Sequence, residues 1–332
     1  MPHPFRAPRP ALAAILLALV PACSSSGSKP DPEKQLSMHR EFALRYYDAN
    51  DLARAEQQAD KGLELEPGDV QLRLMKGWIR QRRGATRDIF VAERIFRDLV
   101  DTMDYRATLG LAEALERKGV LYSEAADAVA SGKRPTDAPS PSARADELAR
   151  EAHGAWRQSA TWYGKTLEAK PGEFQAINGL QRVHALLGDY DESLRWSNRL
   201  LEQSLAEIAF WKTKLAQPQL SAREEARLRT LLASSTRLQL ETHLHATALL
   251  VRIGRLEDAL AHLESVIAID PSHSDAYSRR GQVLKGLRRY QEAMASLQQY
   301  LRLSTHEFAH PDIQRAYQLM SECELAQAPA GS

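Results

Sequence analysis

Apolar residues recur at every third or fourth position from Leu36 to about Glu324, and Gly, Asn or Pro interrupts them at intervals. This period places them on one stripe of an α-helix, so each uninterrupted stretch reads as an amphipathic helix that another must cover. The first pair runs from Leu36 to Pro67, with Phe42, Ala43 and Tyr46 on one helix and Ala55, Ala59 and Gly62 on the next. Asn50 stands between them, where left-handed backbone is needed. A second pair begins at Val70, carries Gly77 and Trp78, turns at Gly84 and continues with Ala92, Phe96 and Leu99. A third opens on Leu111, Ala112 and Leu115 and is expected to turn at Gly119. Residues 131–141, SGKRPTDAPSP, hold three prolines and no apolar period, which predicts a loop inserted into the second helix of that pair. Helix resumes near Ser142 and carries Leu148, Trp156, Trp162, Tyr163 and Leu167 as far as Pro171.

The fourth pair has Leu180, Gly188, Tyr190 and Leu194, followed by Leu201, Leu205, Ile208 and Leu215 before Pro218. Ser221 and Glu224 have capping-box spacing, and the helix they open can run to Ile253, about 48 Å at 1.5 Å per residue. Gly188 and Gly254 are 66 residues apart with only Pro218 as a break, so residues 199–250 are expected to form a helical arm. In that arm Leu201, Leu205, Ile208 and Leu215 would close on Leu228, Leu231, Leu232 and Leu238. The alternative is an irregular repeat stacked in line, with Trp211 and Leu215 buried. The arm is also the candidate surface for a homo-oligomer. Pro311 starts a last amphipathic helix that would cap the array, and Cys323 on it reads as a small buried apolar residue.

Residues Gly254 to Ser272 place a turn glycine, Leu256, Ala259, Leu263, Val266 and Asp270-Pro271 in a fixed order. Asp275 to Tyr300 follows with Tyr277, Gly281, Leu284, Tyr290, Ala293 and Leu297, at a period near ~34 residues. This pattern resembles the tetratricopeptide repeat, and the resemblance extends over roughly residues 36–325. It implies an all-α solenoid of about six antiparallel helix pairs, which needs no central core and binds protein partners rather than performing catalysis. In the family, first-helix side chains tend to line a concave groove. That carries over to Arg40, Leu44, Tyr47, Leu74, Trp78, Gln81, Arg106, Leu109, Glu113, Asn178 and Arg182. Leu44 and Trp78 stand where chaperone-binding relatives use Asn to clamp a terminal carboxylate, so an extended or helical segment is the expected ligand. The alternative for Trp78 is packing against the neighbouring helix.

The amino terminus changes the picture from a scaffold to an exported one. Arg6 and Arg9 precede an apolar run, Ala11 to Val20, and then Val20-Pro21-Ala22-Cys23, the order of a secretory signal and too short for the ~20 residues of a membrane span. The last four residues resemble a bacterial lipobox, with Pro21 departing from its usual small residue, and imply cleavage after residue 22 and acylation of Cys23. Ordinary cleavage with an incidental free cysteine is the alternative. Residues 23–35 read as a flexible lipid-anchored tether and 326–332 as a disordered tail. Ser24, where Asp would favour the inner membrane, implies the outer membrane with the repeats in the periplasm. The combination resembles, weakly, the pilot lipoproteins of type IV pili and secretion secretins. Regulation of outer-membrane barrel assembly or of peptidoglycan synthesis is the second reading, and an envelope enzyme the third.

Charge and chemistry narrow this little further. Without Arg6 and Arg9 the exported chain has 42 basic against 43 acidic groups, and no concentrated basic face of the kind nucleic acid requires. CxxC, glycine-rich phosphate loops and GxSxG are absent. The ten histidines are expected to form no zinc set, with His243 and His245 on different sides of one helix. No cofactor, no metal and no catalytic residue are therefore expected.

Overall fold

The structure, a computed structural model, describes residues 31–136 and 140–327. Cys23, the signal segment, most of the tether and the tail beyond Gln327 lie outside the described residues. Within them thirteen α-helices and a short 3-10 turn follow one another without a strand. They run α1 (Pro32–Asp48), α2 (Leu52–Leu65), α3 (Val70–Arg83), α4 (Thr86–Arg97), α5 (Tyr105–Ala130), α6 (Pro141–Ala169) and α7 (Phe174–Leu187). Then come α8 (Tyr190–Leu215), α9 (Ala222–Arg252), α10 (Leu256–Ile269), α11 (Ser274–Gly286), α12 (Tyr290–Leu303) and α13 (Pro311–Gln327). Each helix packs on the one before and the one after it, which makes an all-α solenoid of six antiparallel pairs closed by α13.

Local chemistry sets these boundaries. The side chains of Asp31, Asp51, Asp69 and Asp104 accept backbone N–H groups at the starts of α1, α2, α3 and α5, and Ser221 with Glu224 forms a complete capping box on α9. The turns inside five pairs hold one left-handed residue each: Asn50, Gly84, Gly188, Gly254 and Arg288. Arg288, at φ 60°, accepts a conformation that costs a residue with a Cβ about 1–2 kcal/mol.

Where two helices of a pair cross, one residue must be small. Gly77 is such a place: an added Cβ would lie 2.5 Å from the Phe96 ring, which is fully buried beneath it. Ala43, Ala112 and Gly281 take the equivalent position in other pairs and are buried. In the fourth pair a buried Gln181 stands there, held by its donation to Ser197 Oγ (2.9 Å) while Ser193 Oγ donates to its carbonyl (2.7 Å).

The third pair differs from the expected one. Gly119 is no turn: it lies inside the continuous helix α5, where the Trp156 indole occupies the space a Cβ would need. The 131–141 segment therefore does not interrupt a second helix but joins two elongated ones, and its last residue, Pro141, is already the first residue of α6. A small core of Ala126, Val129, Ala145 and Leu148 closes the end of this hairpin. Helices α8 and α9 are elongated in the same way, and between Ile208 and Ser235 no residue is buried. Leu194 shares an apolar cluster with Ala246, Leu249 and Leu250 at the solenoid end of their seam, which turns polar farther out: Leu205 is 52% exposed instead of facing α9, and Ser204, Ser235, Gln239 and Thr242 are buried there. Because α5–α6 joins two helices within a pair and α8–α9 joins one pair to the next, the hairpins leave opposite edges of the solenoid. None of the described helices is long and apolar enough to cross a membrane.

Candidate binding groove

The first helices α1, α3, α5 and α7 lie directly against one another in series and form one continuous face. The approach is close enough to bury some side chains expected to line it. Leu74, Gln81 and Leu109 are 2–3% exposed and so are interior residues, not groove residues. Gln81 spans the helix boundary by donating to the Gly110 carbonyl (2.7 Å), and Leu74 and Leu109 belong to apolar clusters that both include Trp78. Trp78 is half-buried with its ring edge-on to Phe96, centroids 5.0 Å apart, so packing claims most of it.

Two expected cations are committed elsewhere. Arg40 donates through Nε to Asp69 (2.8 Å), the buried cap of α3, and Arg106 is chelated by the cap of its own helix, Asp104, at 2.6 Å. Tyr47 is half-buried under the Arg82 guanidinium, 3.7 Å from the ring centroid, and burial pushes its hydroxyl above the usual range. Leu44 is half exposed, and Glu113, Asn178 and Arg182 remain partly open to solvent.

The electrostatic centre of this face spans α5, α6 and α7. Glu116 accepts from Arg182 Nε and Nη2, at 2.7 and 2.8 Å, and from the buried Tyr163 hydroxyl at 2.7 Å. Burial opposes the charge on Arg182, but its bidentate carboxylate outweighs that and raises the guanidinium pKa. Burial, with Glu116 adding and Arg182 opposing, lifts the Glu113 carboxyl to about 7. Glu113 has no hydrogen-bond partner among the described residues, so it is an available acceptor beside a guanidinium with donors to spare. Glu116 and Tyr163 were not among the expected groove residues. Glu116 sits one turn beyond Glu113 on the same stripe, which the period shows, whereas Tyr163 reads as an ordinary core aromatic.

Farther along, the series opens. Helix α9 does not come as close to α7 as α7 does to α5, and a cleft of about 310 Å³ fills the space. Phe174 and Asn178 line it from α7, Glu207 from α8, and Ser235, Leu238 and Glu241 from α9. The two histidines of α9 do diverge: His245 reaches toward Ser193, and His243 shares a 2.9 Å Nδ1–Nδ1 contact with His262 of α10.

The expectation of no metal set needs a correction at the start of α13. Residues 306–310 spell His-Glu-Phe-Ala-His, an HExxH sequence, and His306, His310 and Asp312 bring one ligand atom each within 4.8 Å of one another. The spacing of the histidines alone carries this signal.

An open face made by successive first helices, with titratable groups at its centre, is the geometry of a solenoid scaffold. Residues 248–307 match the tetratricopeptide repeat family. No curated protein matches the chain. Among solved structures, a thermophilic tetratricopeptide repeat protein of Thermus thermophilus is similar, with 16% identity, TM-score 0.42, and coverage of 76% of this chain and 99% of the other. The TPR2AB domain of yeast Sti1, in a complex with pHSP90, gives 14% identity and TM-score 0.30 over 88% of this chain and 99% of that one. Pseudomonas aeruginosa pilF gives 11% identity and TM-score 0.35 over 89% and 91%.

Proposed function

We propose that the chain is a lipid-anchored scaffold of the bacterial outer membrane that holds protein segments in the periplasm and assists assembly of an envelope complex such as a pilus or secretion secretin. The observation that carries the binding reading is the open face of α1 to α7. It offers an exposed apolar anchor, Leu44, and an unpaired acceptor, Glu113, beside Arg182. These suit an extended or helical segment that brings an apolar side chain and a donor. Arg6, Arg9, the Ala11–Val20 run and Cys23 support export and acylation.

Photoreactive side chains at Leu44 and at Arg195, an exposed position on the second helix α8, test the groove in intact envelopes. A defined adduct from position 44 and not from 195, reduced about tenfold by Asn178→Arg, is the expected result. Equal adducts from both positions would overturn the groove assignment. For the anchor, Cys23→Ser should move the chain into the soluble fraction after a high-salt wash.

A further inference from the structure

The loop Ser304–His310 joins α12 to the capping helix α13, and three contacts that leave its imidazoles out hold its shape. Gln314 Nε2 donates to the Phe308 carbonyl (2.6 Å), the His310 N–H to the Glu307 carbonyl (2.9 Å), and the His306 N–H to Ser304 Oγ (3.2 Å). This framework stacks the rings of His306 and His310 face to face, 3.8 Å between centroids and 7° from parallel, with Asp312 one residue beyond Pro311. We infer that His306, His310 and Asp312 form a binding site for a divalent transition-metal ion, with zinc the best fit, that fastens the cap to the last repeat.

Two imidazoles and a carboxylate are a donor set for zinc or for the neighbouring nickel and copper, and water completes the coordination. Ligand atoms 2.0–2.1 Å from one tetrahedral centre are about 3.4 Å apart, so closing from 4.8 Å requires the two stacked rings to turn until their in-plane nitrogen lone pairs meet at one point. His310 Nδ1 now accepts from the Asp312 N–H at 3.3 Å, a long contact that a metal can replace. A protease reading of the HExxH sequence does not fit. That chemistry requires both histidines on one helical face with the Glu between them, and here the five residues are irregular backbone ahead of α13. The ion instead joins the end of α12 to the start of α13, and the apolar contact it protects is that of Leu297 and Tyr300 with Ile313, Ala316 and Leu319.

Calorimetric titration of Zn²⁺ into the chelator-stripped full chain tests this. One ion per chain is expected, with affinity at least about tenfold weaker in His306→Gln and in His310→Gln. The Asp312→Asn chain should also bind more weakly, and His153→Gln, an exposed histidine elsewhere, should bind as the parent does. The same metal should raise the melting temperature of the parent and not of His306→Gln. The His306 ring stacks on the His310 ring, and the hydrogen bond His306 makes to Ser304 is through its backbone N–H, so the metal-free variant should keep the parent's circular dichroism. Unchanged zinc affinity in His306→Gln would overturn the site, as would the absence of saturable binding by the parent.

Discussion

A carboxyl half-buried beside another carboxyl keeps its proton longer than one in water, and Glu113 keeps it to about pH 7. Between its ordinary value of 4.5 and that value the folded chain binds more protons than the unfolded one. Stability therefore falls as pH rises through this window, and the full cost, on the order of 3 kcal/mol, is present above it. Glu113→Gln removes the charge and keeps the shape. Its denaturation midpoint should exceed the parent's at pH 8 and converge on it near pH 4.5, with urea unfolding at the two pH values as the measurement. A constant offset would mean that the carboxyl is solvated at both. A single sequence shows Glu113 and Glu116 only as neighbours on one stripe. That one is paired to Arg182 and Tyr163 and the other left over depends on α5, α6 and α7 meeting, which the sequence does not display.

At the level of elements, the helix pairs were legible because their punctuation is chemical. Asn50, Gly84, Gly188 and Gly254 mark four turns, and each has positive φ. Gly119 misled because a glycine that makes room for the Trp156 indole looks in sequence like one that makes a turn. The fourth pair departs from the repeat pattern where Gln181 replaces the small residue at the crossing, and its hydrogen bond to Ser197 satisfies the buried amide. The α8–α9 extension carries its own prediction. With no buried residue between Ile208 and Ser235, this tip contributes little to the rest. Replacing residues 209–234 by a short Gly/Asn turn should lower helicity in proportion while shifting the melting temperature by only about 2–4 °C, equivalent to ~1 kcal/mol. Collapse of the whole solenoid would show that the tip is part of its load-carrying stack.

Among the described residues each helix packs chiefly on its neighbours in the chain, with the first helices α1, α3, α5 and α7 also meeting in series, so stability is a sum of local steps rather than the property of one core. Leu319 is buried against α12, and Leu319→Ala should cost about 2–5 kcal/mol. Hydrogen exchange should register that loss in α11 to α13 and leave α1 to α4 as protected as before. Uniform loss of protection would mean the repeats unfold as one. The same linear build has a mechanical side. Ion pairs such as Arg80 with Glu56 and Asp88 tie α2, α3 and α4 together, and Gln81 ties α3 to α5, so the first half resists bending. Between α8 and α9 the buried hydroxyls of Ser204 and Thr242 are spent on carbonyls of their own helices, at 2.9 and 2.8 Å, and hold nothing across the seam. Ser235 to Glu207 is a tie that does cross. At the solenoid end of that joint Leu194 shares an apolar cluster with Ala246, Leu249 and Leu250, so a pull on the chain's two ends meets an oily clasp there, and only the tip beyond Ile208 is left without a core.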